Sequence, residues 1–227
     1  MSSRFPERAQ YVSTHGSGEV GATLVRPDDA DAMLVFGHGA GAGMHHPFMT
    51  AMAHRLATRR IATLRYQFPY MEAGRRRPDL PPVLLETVRA AVARAAALAP
   101  DLPLVAGGKS MGGRMTSMAA AEADLPGVRG LVFFGFPLHP AKRPSTGRAE
   151  HLTAVGLPML FLQGTRDALA DLDLLAPIVE GLEPPATLHI VEGADHGFHV
   201  LVRSGRTDDE VADEMADRAA GWIRDLG

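Results

Sequence analysis

Leu104-Val105-Ala106-Gly107-Gly108-Lys109-Ser110-Met111-Gly112-Gly113 is the stretch on which the reading of this chain turns. Leu104 to Ala106 is a short run apolar on both faces, the pattern of a strand buried between two layers. Arg114 to Ala123 supplies small helix formers. Between them stands Gly108-Lys109-Ser110-Met111-Gly112, a G-x-S-x-G at a strand-to-helix junction. Such a turn lifts a serine hydroxyl out of the sheet, and its glycines leave room for the sharp bend. The helix that follows points its first backbone N–H groups at the same spot, where they stabilise negative charge. A glycine-rich turn with no chemistry looks the same in isolation, so the partners must come from elsewhere in the chain.

Working outward, the same alternation recurs. Upstream lie two β-like runs, Gln10 to Ser13 and Glu19 to Val25, around the turn Gly16-Ser17-Gly18. Ala32 to Phe36 is an apolar strand followed at once by His38-Gly39-Ala40-Gly41-Ala42-Gly43. Phe48, Met52 and Leu56 mark one face of a helix ending near Arg59-Arg60, and Ile61 to Tyr66 is the next strand. Leu84, Val88 and Val92 set out a helix opened by Pro81-Pro82 and closed by Pro100. Downstream, Leu131 to Phe134, Met159 to Leu162 and Thr187 to Val191 read as strands. Thr207-Asp208-Asp209-Glu210 is a capping box that opens a last helix with Val211, Met215, Trp222, Ile223 and Leu226 turned inward. Strands joined through helices run parallel, so the expectation is an α/β fold: a mostly parallel, doubly wound sheet with an N-terminal antiparallel hairpin. No repeat, linker or second core divides residues 1–227, which predicts one domain.

In such a sheet the chemistry gathers at the carboxyl ends of the strands. After Met159 to Leu162 comes Gln163-Gly164-Thr165-Arg166-Asp167; after Thr187 to Val191 comes Glu192-Gly193-Ala194-Asp195-His196-Gly197. A serine hydroxyl needs a base beside it and an acid to orient that base. Ser110, Asp167 and His196 stand in the chain order this chemistry uses on this kind of sheet. Two other carboxylates compete for the acid's role. Asp171 lies one turn past Asp167 and suits a cap, and Asp195 is adjacent to His196 and suits a turn. For an oxyanion, Met111 N–H is one expected donor, and Ala40 or Gly41 from the loop after Phe36 is the second.

With 23 Lys+Arg against 26 Asp+Glu, the chain has a formal charge of -3, which gives no electrostatic case for nucleic acid. It has no cysteine, which excludes disulfides, thiolate zinc sites and a Cys nucleophile. His38, His45, His46, His196 and His199 invite a metal reading. However, no H-E-x-x-H appears and the adjacent His45-His46 do not readily share one ion, so neither metal nor cofactor is expected. His54 and His189 read as structural. Met1 to Gln10 lacks the apolar core of a signal peptide and no run suits a bilayer, so the expected location is cytoplasmic, with no membrane partner.

The ordered set of G-x-S-x-G, Asp and His resembles the α/β-hydrolase superfamily over nearly the whole chain. Finer wording resembles a subgroup related to dienelactone hydrolase, which includes bacterial hydrolases akin to the testis-expressed-30 protein and NSL-complex subunit three. The phrases that carry this are His38-Gly39-Ala40-Gly41, Phe68-Pro69-Tyr70-Met71, Gly108 to Arg114, Gly135-Phe136-Pro137-Leu138-His139 and Gln163 to Asp167. The resemblance implies a Ser110, Asp167, His196 triad with Ala40 or Gly41 and Met111 as the oxyanion hole. Dienelactone hydrolase itself uses a Cys nucleophile, so its substrate is not carried over.

The function expected is hydrolysis of a small soluble carboxylic ester through an acyl-enzyme, without a cofactor. A thioesterase or peptidase, or a non-catalytic interaction module on the same fold, are the alternatives. Only Pro137 to about Gly156 is available for a lid, so any cap is small. His38, Phe68, Tyr70 and Met71 are candidate substrate contacts, on the expectation that the strand Ile61 to Tyr66 neighbours the nucleophile strand. Arg75-Arg76-Arg77 reads either as a solvated basic run or, with Lys109 or Arg114, as a lure for an anionic acyl group.

Overall fold

A computed structural model of the chain describes residues 5–226. Strands β1 (Glu7–Thr14) and β2 (Gly18–Val25) form the hairpin, and β3 (Ala32–Gly37) leads to helix α1 (Pro47–Thr58). Next come β4 (Ile61–Tyr66), a short α2 (Pro69–Glu72), α3 (Pro81–Leu98), β5 (Leu104–Lys109), α4 (Met111–Glu122) and β6 (Val128–Phe134). A 3-10 run (Gly147–Ala154) precedes β7 (Met159–Gly164), α5 (Leu172–Glu180) and β8 (Ala186–Val191); a 3-10 turn (Val202–Ser204) precedes α6 (Asp208–Asp225). The eight strands lie in one sheet in the order β1-β2-β4-β3-β5-β6-β7-β8. Pairing is antiparallel for β1–β2 and β2–β4 and parallel from β4 to β8.

The central strands are apolar throughout because both of their faces are covered. Met33 and Val35 of β3 pack on one side with Leu131 and Phe133 of β6, Met159 and Phe161 of β7, and the buried faces of α3, α4 and α5. Leu34, Phe36, Val132, Phe134, Leu160 and Leu162 alternate onto the other side, where Met49, Met52 and Leu56 of α1 and Val211, Met215 and Ile223 of α6 meet them. Thr63 and Arg65 of β4 and Gln163 of β7 interrupt this pattern. Arg65 in β4 is fully buried, donating to Met44 O at 3.1 Å and Thr50 Oγ1 at 2.7 Å and pairing with Glu7 of β1. Through Nη1 and Nη2 its guanidinium ties the hairpin and α1 to the sheet, while Nε has no partner among the described residues.

The elements differ from the sequence reading in three places. Helix α5 was not expected: it is nine residues long with Pro177 inside it, too short and too interrupted for a clear helical period. The residues after β4 form α2 rather than an open loop, starting at Pro69, where the missing N–H costs nothing. And β4 does not neighbour β5, since β3 lies between them. Among the described residues, no helix is long and apolar enough to cross a membrane.

Backbones approach closely where β3, β5 and α4 converge. A Cβ on Gly112 would stand 2.3 Å from Gly37 O and 2.8 Å from His38 O; one on Gly108 would stand 2.4 Å from Gly37 O. These neighbours are backbone atoms and cannot swing aside. Gly112→Ala therefore sets a helix-propensity gain of about 1 kcal/mol against an overpacking cost of about 3 kcal/mol or more. The expected outcome is net destabilisation in urea unfolding; an unchanged or higher midpoint would show that α4 shifts freely on the sheet.

Candidate active site

The serine turn forms because β5 runs straight into α4 with only Ser110 between them. Ser110 adopts φ 51° and ψ -115°, a left-handed conformation that a non-glycine residue holds at a cost of about 1–3 kcal/mol. Its N–H donates to Phe134 O at 3.1 Å, anchoring the turn to β6. The side chain projects into a cleft at the carboxyl edge of the sheet.

Two later strand ends bring their side chains to it. His196 Nε2 lies 2.9 Å from Ser110 Oγ, and His196 Nδ1 lies 2.7 Å from Asp167 Oδ2. The Asp167 side chain is almost fully buried while the imidazole is about a quarter exposed. An ionised carboxylate only accepts, so Nδ1 carries the proton and Nε2 is free to accept from the serine. The rival carboxylates do other work. Asp171 caps α5, accepting from Asp173 N–H at 3.0 Å. Asp195 Oδ1 accepts from Gly197 N–H at 2.8 Å and His199 N–H at 3.0 Å, which shapes the loop around His196.

A second partner of Asp167 escaped the sequence reading. Gln163, fully buried, donates from Nε2 to Asp167 Oδ2 at 2.6 Å while its Oε1 accepts from Phe136 N–H at 2.9 Å. The Phe136 donor fixes which way the amide points. Leu169 N–H completes the set at Asp167 Oδ1, 2.8 Å away. Three donors thus fix the position of this carboxylate. No local sequence signal marks Gln163, because its donor comes from a neighbouring strand end.

The loop after β3 is held from behind. Gly41 N–H donates to Tyr70 Oη at 3.1 Å, so of the two expected oxyanion donors in this loop it is already engaged. Ala40 N–H and Met111 N–H have no partner among the described residues. His38 Nε2 accepts from Phe68 N–H at 3.1 Å, which makes Nδ1 the protonated nitrogen, donating to Gly39 O at 2.8 Å.

The family model for the alpha/beta hydrolase domain matches residues 30–224. The chain belongs to that family. A dienelactone hydrolase from Anabaena variabilis ATCC 29413 superposes with a TM-score of 0.76 at 23% identity, covering 97% of this chain and 98% of that one. The esterase domain of a Rhodothermus marinus protein gives 0.73 at 18%, covering 98% and 100%. A serine hydrolase without a lid from Xanthomonas campestris gives 0.73 at 20%, covering 95% and 94%. At these identities the likeness is one of fold.

The cleft of this α/β hydrolase has a volume of about 770 Å³. Beside Ser110 and His196 it is walled by Phe48, Met49, Phe198 and Met215, between the starts of α1 and α6. His38, Phe68, Tyr70 and Met71 are not on this wall. The first three are fully buried behind the loop after β3, and Met71 packs half-buried against the core. The reason is topological: with β3 between β4 and β5, the residues after β4 reach the loop after β3 rather than Ser110. Arg75, Arg76 and Arg77 line a separate surface hollow, with Arg75 paired to Asp79 at 2.7 Å. Arg114 is also absent from the cleft wall; of the basic groups singled out, Lys109 alone reaches it. His46 caps α1, His199 pairs with Asp208 and His189 with Glu214. Among the described residues, no group of three or more His, Asp or Glu is placed to hold a metal.

Burial pushes His38 down to about 4, so it is neutral in the native state near pH 7. The unfolded chain takes up that proton near the ordinary value of about 6.5. Stability is therefore complete above about 6.5 and falls as the pH drops toward 4, by up to about 3 kcal/mol from this residue. His151, also held down to about 4 by burial and by Arg114, adds a fall of the same sign. Urea unfolding over this window should show a flatter slope for His38→Gln than for the wild type. An identical slope would mean that His38 is not held neutral.

Proposed function

We propose that the chain is a serine esterase that hydrolyses small carboxylic esters through an acyl-enzyme, with Ser110 as nucleophile, His196 as base and Asp167 as orienting acid. The observation that carries this reading is the continuous hydrogen-bonded line from Ser110 Oγ through the imidazole to the buried Asp167, opening on a cleft. In the first step Ser110 Oγ attacks the ester carbonyl as His196 Nε2 takes its proton; Asp167 stabilises the imidazolium. The negative charge that develops on the carbonyl oxygen is received by Met111 N–H at the start of α4 and by Ala40 N–H. His196 then protonates the leaving alkoxide and the C–O bond breaks. Water, activated by the same imidazole, hydrolyses the acyl-serine and returns the proton. No cofactor takes part.

Substrate size follows from the surroundings. Between β6 and β7 the chain carries only the 3-10 run Gly147–Ala154, so no inserted domain covers the cleft. The apolar wall of Phe48, Met49, Phe198 and Met215 suits a short hydrocarbon or aromatic group. The dienelactone-hydrolase-related subgroup, with its links to the testis-expressed-30 protein and NSL-complex subunit three, rests on the phrases quoted above. A cytoplasmic location is part of the same proposal.

A fluorophosphonate probe should label the wild type once and leave Ser110→Ala unlabelled; labelling at another serine would overturn the assignment. Against esters of graded acyl length, Asp167→Asn should lower kcat by about 10⁴-fold, because the amide favours the wrong imidazole tautomer. Asp171→Asn should leave kcat alone. The opposite ranking would transfer the acid's role to Asp171.

A further inference from the structure

Lys109 stands immediately before Ser110, and none of the steps above uses it. Its side chain crosses the cleft wall toward the loop that carries the base, where Nζ donates to the carbonyl oxygen of His196 at 2.5 Å. The ammonium lies 4.9 Å from the ring centre of Phe198 and 5.7 Å from that of Phe48. Those two rings stack on each other, 5.7 Å apart and 19° from parallel. Across Gly135 the ammonium also faces the acid and the base. A Cβ at Gly135 would lie 3.1 Å from Lys109 Nζ and 3.6 Å from both Asp167 Oδ2 and His196 Cε1.

Lysine ordinarily extends its charge into water. Here the charge is withdrawn from solvent, and that burial pushes Lys109 down to about 8 against the opposing pull of Asp167 and Asp195. What the structure gains in return is a bond from the nucleophile turn to the backbone of the base itself. The imidazole is held at both ring nitrogens by Asp167 and Ser110, and Asp195 braces the loop from within; the carbonyl contact adds the direct tie between the base's backbone and the serine turn.

We propose that Lys109 is a positioning residue: its ammonium pins the His196 carbonyl to the serine turn and keeps the imidazole in line with Ser110 Oγ. This rests on the esterase reading of the same site. The competing role, a receptor for a substrate carboxylate, fits the surroundings less well. One N–H is spent on His196, two rings flank the charge, and the carboxylates of Asp167 and Asp195 already attract it. Loss of the proton weakens the charge-assisted bond and abolishes the attraction to the rings. The groups facing Lys109 are Asp167 after β7, Asp195, the His196 ring and His199 after β8, and the two phenylalanines from α1 and the base's loop. Of these groups Lys109 is the one brought to about 8, so kcat should decline as the pH rises through that value.

The test compares wild type, Lys109→Met and Lys109→Arg on one neutral and one carboxylate-bearing ester, across pH 8, with melting temperatures measured alongside. Met keeps an apolar stem beside the rings and removes the charge; Arg keeps donor and charge but does not titrate in this range. Lys109→Met should lower kcat by about 10²-fold, the effect of a small misalignment. KM should be unchanged for both esters and the melting temperature undiminished, since a desolvated charge has been removed. Lys109→Arg should recover most of kcat and lose the decline near pH 8. Wild-type kcat in Lys109→Met, a KM increase confined to the carboxylate ester, or a loss of kcat that tracks a lower melting temperature would each overturn the proposal. Ser110→Ala separates the two readings. Hydrolysis that survives in it overturns the esterase reading itself, whereas an inactive Ser110→Ala beside a fully active Lys109→Met overturns only the role of Lys109.

Discussion

The approach of three backbones at Gly37, Gly108 and Gly112 is the constraint from which the site follows. At the Cβ positions of Gly108 and Gly112, Gly37 O already stands 2.4 and 2.3 Å away, so any side chain there forces β3, β5 and α4 apart. Because they are close, the chain has a single residue in which to turn from strand to helix. Ser110 accepts the left-handed conformation, and its side chain has no direction left but outward. The same closeness sets the start of α4 beside the loop that leaves β3. The turn at Ser110 and the approach of the loop after β3 to the start of α4 are thus two consequences of one packing contact.

Around this contact the polar groups are buried and paired rather than exposed. His38 spends both nitrogens on backbone, between Gly39 O and Phe68 N–H, and burial keeps it neutral. Gln163 spends its amide between Phe136 N–H and Asp167. Each group takes one bond from a different strand end, and a buried donor or acceptor left alone costs about 1–3 kcal/mol. The network therefore resists the movement of any single loop. It also accounts for the ring of side chains outside the cleft: Tyr70 and Phe68 hold the oxyanion loop from behind and have no surface left to offer a substrate.

Much of this was legible before any coordinates. Central strands such as Ala32 to Phe36 show their double burial as unbroken apolar runs; G-x-S-x-G follows one such run directly and Asp167 comes shortly after another, while His196 lies beyond the half-exposed edge strand β8. What was not legible depends on the lateral order of strands. Nothing local says that β3 separates β4 from β5, and from that one fact follow the withdrawal of Phe68, Tyr70 and Met71 from the cleft and the bond from Gly41 N–H to Tyr70. The bonds made by Gln163 and Lys109 were equally hidden, since their partners lie on segments that are distant in sequence; from sequence Lys109 reads only as a lure for an anionic group. Helix α5 was missed for a different reason, a period too short to read.

Phe198 shows how the base's loop holds its shape. It has φ 65°, a conformation that costs a bulky residue about 1–3 kcal/mol. Against that stand burial of the ring, worth about 2–3 kcal/mol, and its stack on Phe48, worth about 0.5–1.5 kcal/mol. The favourable terms equal or exceed the strain, so the turn persists. Its consequence is directional. The reversal at Phe198 lets His196 face Ser110 while the ring two residues later folds back beneath α1 and α6. Asp195 closes the turn from the other side through Gly197 and His199. The wall of the cleft and the aim of the imidazole are therefore set by the same three-residue bend, and a change in the cleft lining at Phe48 or Phe198 acts on His196 as well as on the cleft.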